Sequence, residues 1–210
     1  MEEPIAFEAL AALLADLPPG RRRLAAIVGA PGSGKSHVAE ALAEAVNARV
    51  PGRAAVLAMD GYHYDDAVLQ ALGRQARKGA PDTFDLGGLA AMLERLRANA
   101  EPSIAVPVFD RALEIARAGA SLIPRSVELI VVEGNYLLLQ AVPWDRLAGL
   151  FDLTVRLDVP EPVLRERLAA RWQGYGLAPA QIAAKLEDND LPNGRRVAAE
   201  SRPADLVLPN

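Results

Sequence analysis

The chain has 210 residues, of which 51% are hydrophobic and 24% charged, values typical of a globular protein with a full core. Its 23 basic and 27 acidic residues give a net charge of −4, which argues against a nucleic-acid-binding surface. There is no cysteine and there are only 2 histidines, which excludes disulfides and thiolate catalysis and disfavours a multi-histidine metal site. An N-terminus without a positive start and the lack of a long apolar stretch predict a cytoplasmic protein with no membrane contact.

Strand and helix patterns alternate along the chain. Helical spacing of apolar residues predicts an N-terminal helix over 4–17, and the arginine run at 21–23 is interpreted as a solvated linker. Apolar runs predict strands at 24–29, 54–59, 104–109, 127–132, 152–158 and 204–209. Further helices are predicted at 35–48, 65–73, 86–99, 112–118, 143–150, 160–172 and 178–188. This order predicts one α/β domain over 1–210, with a parallel sheet of about five strands between two helical layers. A small β insert is expected near 100–111.

The segment GAPGSGKS at 29–36 carries the strongest functional signal. It matches G-x-x-x-x-G-K-[ST] in full, directly after a predicted strand and directly before a predicted helix. Glycines allow backbone N–H groups to surround an anion, and the helix adds the positive end of its dipole. Lys35 can reach the β- and γ-phosphates, while the Ser36 hydroxyl can bind Mg²⁺. The motif predicts nucleotide binding, and a chance match in a chain of this length is on the order of one percent or less.

Two acidic residues follow predicted strands. Asp60 ends the strand at 54–59, where open α/β sheets bind ligands, and can accept the proton of an attacking hydroxyl or help to hold Mg²⁺. The alternative to a functional role for Asp60 is that it caps a helix or lies in a turn. His63, in the loop that follows, is as consistent with an exposed position as with substrate contact. Glu133 follows the apolar run at 127–132, the arrangement in which P-loop enzymes hold Mg²⁺.

The helix predicted after Pro160 contains Arg165, Arg167 and Arg171. Arg167 and Arg171 are four residues apart and share a face, whereas Arg165 lies nearer the opposite face. These arginines suit a helical lid at about 160–190 that closes over the polyphosphate. The alternative is a solvated basic helix with Glu161 and Glu166 as partners.

Together these segments resemble the phosphoribulokinase/uridine kinase family of P-loop kinases, from about residue 23 to the C-terminus. The bacterial subgroup labelled as fructose transport system kinases or nucleoside-kinase-like proteins is the most similar. The segments that carry the resemblance are GAPGSGKS at 29–36, MDGYHYDD at 59–66, KGAPDTFD at 78–85, PVFDR at 107–111, VEGNYLLL at 132–139, the arginines at 165–171, the ND-x-x-N run at 189–193 and ADLVLP at 204–209. The resemblance implies a three-layer, nucleoside-kinase-like P-loop fold.

The resemblance also implies roles for individual residues. Lys35 acts on the phosphates, Asp60 is the general base towards the acceptor hydroxyl, and Arg171 belongs to the lid. Ser36 and Glu133 are the implied Mg²⁺ residues. The implied ATP contacts are Gly29, Gly32, Ser33, Gly34, Lys35, Ser36, His37 and Arg167. The implied acceptor contacts are Asp60, Tyr62, His63, Phe84, Asp85, Arg111, Tyr136 and Arg165.

The sequence therefore predicts an ATP- and Mg²⁺-dependent kinase that phosphorylates a hydroxyl of a small molecule. The subgroup label favours a fructose-like sugar. Uridine kinases of the family carry D-H-P where this chain has Gly79-Ala80-Pro81, a departure that weakens a pyrimidine nucleoside acceptor, whereas KGAPDTFD resembles a pantothenate kinase motif. Nucleoside and pantothenate acceptors stay as alternatives to the sugar. A second alternative is a nucleotide-dependent switch ATPase without an acceptor. A homodimer is the family-level expectation.

Overall fold

A computed structural model describes residues 2–210 of the chain. Its main feature is a six-stranded parallel sheet in the order β1-β8-β7-β2-β6-β3. The strands are β1 (Glu3–Pro4), β2 (Arg23–Val28), β3 (Ala54–Ala58), β6 (Leu129–Gly134), β7 (Leu153–Asp158) and β8 (Leu206–Pro209), and a separate hairpin pairs β4 (Ser103–Asp110) with β5 (Ile115–Pro124). The helices are α1 (Phe7–Ala15), α2 (Lys35–Arg49), α3 (Asp66–Ala71), α4 (Leu86–Ala98), α5 (Glu161–Gly174), α6 (Pro179–Lys185) and α7 (Leu191–Glu200). The predicted α/β class is confirmed, with six parallel strands instead of about five.

The sheet is buried on both faces, which explains its continuously apolar strands. In β2, Leu24 and Ala26 face a core shared with α4 and the hairpin, whereas Ala25 and Ile27 face a core shared with α1 and α2. Side chains alternate between faces along a strand, so one short apolar run supplies both cores. This burial fixes β2 in the middle of the sheet and the loop at 29–34 at its carboxyl edge.

The predicted helix at 112–118 is wrong. Residues from 115 onward form β5, which pairs antiparallel with β4. The chain turns at 111–114, where the Asp110 carboxylate accepts hydrogen bonds from the backbone N–H groups of Ala112 and Leu113, and Glu114 has φ 56°. Hydrogen bonds to β4 satisfy the backbone N–H and C=O groups of this segment, and they outweigh its local helix propensity. The strand predicted at 104–109 therefore belongs to this hairpin, which realises the expected β insert, and lies outside the parallel sheet.

The lid region continues further than the sequence pattern indicated. After α5 and α6, the residues Leu186–Asp190 form a π-helical turn that leads into α7, a helix that was not predicted. Leu168, Leu186 and Leu191 form a small core of their own at this junction. The helix predicted at 143–150 is reduced to a 3₁₀ turn at Trp144–Leu147.

The arginine run before β2 is not a solvated linker. Arg22 is 3% exposed and donates hydrogen bonds to the carbonyls of Val127 at 2.7 Å and Pro124 at 2.6 Å. Arg21 forms an ion pair with Asp152 at 2.6 Å. The run therefore anchors the start of β2 to neighbouring segments. Within residues 2–210, no helix is long and apolar enough to cross a membrane.

Candidate active site

The loop between β2 and α2 has the geometry of a phosphate cradle. Gly32 and Gly34 have φ of 79° and 84°, a left-handed conformation that glycine adopts without strain. A Cβ at Gly32 would lie 2.8 Å from Leu168 Cγ of α5, so only glycine fits beneath the lid. Lys35 and Ser36 then begin α2, which places their side chains and the helix dipole at the mouth of the loop.

Glu133 at the end of β6 has the surroundings of a cation ligand. Its Oε1 accepts a hydrogen bond of 3.0 Å from Ser36 Oγ, while its Oε2 is buried without a hydrogen-bond partner among residues 2–210. Burial raises the pKa of Glu133, and the nearby Asp60 carboxylate raises it further. The positive charge of Lys35 lowers this pKa but does not cancel the rise. A buried carboxylate oxygen next to a hydroxyl is a donor set that suits Mg²⁺, so the residues fit the ion.

Asp60 lies on a 3₁₀ turn, Met59–Tyr62, that follows β3. Because Ala58 of β3 pairs with Glu133 of β6, the two acidic residues share one edge of the sheet. Asp60 Oδ2 accepts a hydrogen bond of 2.9 Å from the Arg111 guanidinium. Burial alone would raise the pKa of Asp60, but its basic neighbours, Lys35 above all, outweigh this effect and hold the pKa below its ordinary value. The carboxylate is therefore ionised at neutral pH.

The hairpin brings Arg111 to Asp60. A Cβ on Gly61 would lie 3.0 Å from the carbonyl oxygen of Pro107, so β4 packs directly on the turn that carries Asp60. His63 is held on the same turn, since its Nδ1 lies 2.9 Å from the Asp60 carbonyl oxygen. Its ring lies 4.1 Å from that of Phe84 and 4.9 Å from that of Phe109, measured between centroids. This aromatic wall adjoins the Asp60 carboxylate.

One cavity of about 350 Å³ joins the phosphate loop to this wall. The predicted site residues that line it are Gly32, Gly34, Lys35, Ser36, His37, Asp60, His63, Phe84, Arg111 and Arg171. Glu133 is buried and does not itself line the cavity, but it accepts a hydrogen bond from Ser36, which does. The structure therefore places the proposed phosphate, metal and general-base residues around one space large enough for small ligands.

Other predicted residues lie outside the cavity. Asp85 caps α4 by accepting a hydrogen bond from the Gly88 N–H at 2.8 Å, and Tyr62 is buried in the core. Tyr136 is fully buried and donates a hydrogen bond of 2.7 Å to the Gly79 carbonyl, which supports the cavity wall from behind. Arg165 is exposed and pairs with Glu187.

Three predicted ATP contacts sit around the loop itself. Gly29 directly follows β2, and a Cβ there would lie 2.4 Å from Ser33 Oγ. Ser33 is buried, and its carbonyl oxygen lies 3.4 Å from a guanidinium nitrogen of Arg167 on α5. Arg167 thus lies against the loop and Arg171 lines the cavity, whereas Arg165 pairs with Glu187 away from both.

Several residues of the cavity wall were not singled out from the sequence. They include Lys78, Phe109, Asn135, Trp172, Tyr175, Lys185, Asn189, Asp190 and Asn193. Lys78 and the ND-x-x-N run did occur in the segments that carried the family resemblance. No spacing rule could have joined them to Asp60, because the ND-x-x-N run meets Lys78 only where Asn189 of the lid donates a hydrogen bond to the Lys78 carbonyl.

A phosphate loop, a strand-end glutamate and a parallel α/β sheet together define a P-loop nucleotide-binding protein. A family model described as an AAA ATPase domain matches residues 6–199. "Uncharacterized protein YggC" of Escherichia coli is 34% identical over 94% of this chain and 81% of its own. "Putative uridine kinase C227.14" of Schizosaccharomyces pombe is 30% identical over 90% of this chain and 83% of its own.

A solved structure extends these similarities to the whole fold. The protein described as a "putative fructose transport system kinase" from Silicibacter sp. TM1040 is 39% identical, with a TM-score of 0.88 over 97% of this chain and 98% of that one. The chain belongs to the phosphoribulokinase/uridine kinase family of P-loop kinases, as the sequence motifs predicted. It is an ATP-dependent phosphotransferase that acts on a hydroxyl of a small molecule.

Proposed function

We propose that the whole chain acts as one kinase domain that transfers the γ-phosphate of ATP to a hydroxyl of a sugar-like metabolite. The observation that carries this proposal is the cavity that Lys35, Ser36 and Asp60 share, with Glu133 hydrogen-bonded to Ser36. The two ends of the cavity differ in chemistry, since one is a backbone cradle for phosphates and the other an aromatic wall with a carboxylate. Such a division suits two substrates held in contact.

In the proposed reaction, the acceptor oxygen attacks the γ-phosphorus while its proton passes to the Asp60 carboxylate. The bond between the γ-phosphorus and the β,γ-bridging oxygen breaks, and ADP leaves. Lys35 and Arg171 offset the negative charge that spreads over the transferred group. Ser36 and Glu133 would hold Mg²⁺, which would shield the phosphate charges when bound.

The substrate assignment is supported by the name of the similar bacterial protein, a "putative fructose transport system kinase". The similar yeast protein is named a "putative uridine kinase", and the KGAPDTFD segment resembles pantothenate kinases, so nucleoside and pantothenate acceptors belong in the test. A switch ATPase without an acceptor is the rival of another class. The main observation against a switch ATPase is the second, aromatic end of the cavity, because an enzyme without an acceptor has no use for a second binding region.

The test is ADP release by the purified protein with MgATP and a panel of fructose, ribulose 5-phosphate, uridine, cytidine and pantothenate. We expect a sugar to raise the rate far above the hydrolysis background, and the product to carry one added phosphate by mass spectrometry. Stimulation by a nucleoside or by pantothenate would replace the sugar assignment. Steady ATP hydrolysis that no acceptor changes would favour the switch ATPase.

A further inference from the structure

The π-helical turn at Leu186–Asp190 and the first turn of α7 place three polar side chains on the wall of the active-site cavity. Asn189 and Asp190 are each 8% exposed and Asn193 is 3% exposed, and all three line the cavity that contains Asp60. Buried polar residues require hydrogen-bond partners. π-helical turns also occur frequently at functional sites, because the extra residue redirects side chains that a regular helix would point elsewhere. Neither this turn nor its side chains has a part in the phosphate chemistry above.

The hydrogen bonds of these side chains leave two oxygens unused. Asn189 is fully engaged: its Nδ2 donates to the Lys78 carbonyl at 3.0 Å, and its Oδ1 accepts from Asn193 Nδ2 at 3.2 Å. Asp190 Oδ2 accepts a bond of 2.7 Å from Trp172 Nε1. Within residues 2–210, no group donates a hydrogen bond to Asp190 Oδ1 or to Asn193 Oδ1, and neither oxygen is completely buried. Both residues therefore offer a hydrogen-bond acceptor to the cavity.

The cations at this end of the cavity lie close to carboxylates, which limits the negative charge that a ligand needs here. Lys78 Nζ lies 2.7 Å from Asp66 Oδ1, and Arg111 lies 2.9 Å from Asp60 Oδ2. Lys185 Nζ lies 4.8 Å above the Trp172 ring. Arg171 and Lys185 both lie near Asp190, and their charges counteract the rise that burial causes in the pKa of this carboxyl group. This end of the cavity thus combines unused oxygens with cations whose charge nearby carboxylates offset, so it suits a ligand that donates hydrogen bonds and needs no negative charge of its own.

We propose that Asp190 and Asn193 form the subsite that selects a neutral, polyhydroxylated acceptor by accepting hydrogen bonds from its hydroxyl groups. The proposal rests on the kinase function proposed above and narrows its acceptor class. The rings of His63 and Phe84 would cover the apolar face of such a molecule, while Asp60 meets the hydroxyl that is phosphorylated. A phosphate or carboxylate on the acceptor would instead face the Asp190 carboxylate.

The test compares acceptor kinetics of the wild type with Asp190→Asn and Asn193→Ala. Asp190→Asn keeps an oxygen for Trp172 but turns the unused acceptor into an N–H donor. We expect the KM for a neutral sugar to rise about tenfold in each variant, the effect of one lost hydrogen bond, with the KM for ATP unchanged. Asp188→Asn is the matched control, since this exposed carboxylate lies on the same turn and does not line the cavity.

Acceptor charge supplies a measurement that does not depend on how the variants fold. The wild type is assayed with fructose, ribose and xylitol against fructose 6-phosphate, ribose 5-phosphate and gluconate. We expect kcat/KM at least 100-fold higher for a neutral compound. Preference for an anionic acceptor, or folded variants with an unchanged acceptor KM, overturns the subsite while leaving the kinase function intact. ADP release that no acceptor in either panel stimulates overturns both.

Discussion

Asp60→Asn separates general-base catalysis from nucleotide binding. The substitution is nearly isosteric and keeps an oxygen for the hydrogen bond that Asp60 now accepts from Arg111 at 2.9 Å. It removes the carboxylate that accepts the proton of the acceptor hydroxyl in the proposed reaction. The phosphate loop is built on a different strand, so its geometry does not depend on residue 60.

The expected loss is a fall in kcat of roughly 10²–10⁴-fold, the usual contribution of a positioned general base. This corresponds to about 2.7–5.5 kcal/mol of transition-state stabilisation. The pKa of Asp60 is held low by Lys35, His63 and Arg111 against the effect of burial, so the wild-type carboxylate is ionised throughout the neutral range. An amide at this position cannot accept the proton at any pH.

The measurement is acceptor-dependent ADP release, together with ATP binding by calorimetry for the same preparations. Arg111→Gln is the companion variant, since it removes the charge beside Asp60 but leaves the base in place. We expect Asp60→Asn to bind ATP as the wild type does and Arg111→Gln to lose less turnover. An Asp60→Asn enzyme that turns over at near-normal rate would remove Asp60 from the role of base.

Three further predictions concern stability. Arg22→Ala leaves carbonyl groups without their hydrogen-bond donor, and we expect it to lower the free energy of unfolding by about 2–3 kcal/mol in urea titrations. Arg21→Ala is the control: it removes an exposed ion pair and should lower the same free energy by less than about 1 kcal/mol. Arg156 donates two hydrogen bonds to the Glu2 carboxylate and lowers its pKa. This ion pair therefore stabilises the fold at pH values above the unfolded-state pKa of about 4.3, and the stabilisation is lost as the pH falls below that value. Glu2→Gln should abolish this part of the acid dependence, and an identical pH profile would contradict it. Gly134→Ala would bring a Cβ within 2.6 Å of Met59 Cβ. Thermal unfolding should therefore show a free energy of unfolding that is about 1–3 kcal/mol lower than in the wild type.

The chemistry-bearing positions could be predicted because they follow local rules. The phosphate loop needs glycines between a strand and a helix, and the structure places Gly32 and Gly34 there in left-handed conformations. Asp60 and Glu133 end strands that parallel pairing brings to one edge of the sheet. Their catalytic and metal-binding roles, like the homodimer and the cytoplasmic location, stay predictions.

Positions set by distant contacts could not be predicted. The segment at 112–118 has helical composition, yet it pairs with β4 because that pairing satisfies its backbone and seats the hairpin on the Asp60 turn. Arg22 appeared to be one of three solvated charges, and only the fold shows the carbonyls that bury it.

The sequence by itself determined the class of the protein, because short-range patterns encode the phosphate loop and the apolar strands that frame it. The tertiary structure decided what faces the acceptor. Asp190 and Asn193 reach the cavity only because a π-helical turn folds the lid back over Lys78 and Trp172 packs behind it. The contact between Asn189 and Lys78 joins residues 111 positions apart, and its geometry depends on long-range packing that no local pattern encodes.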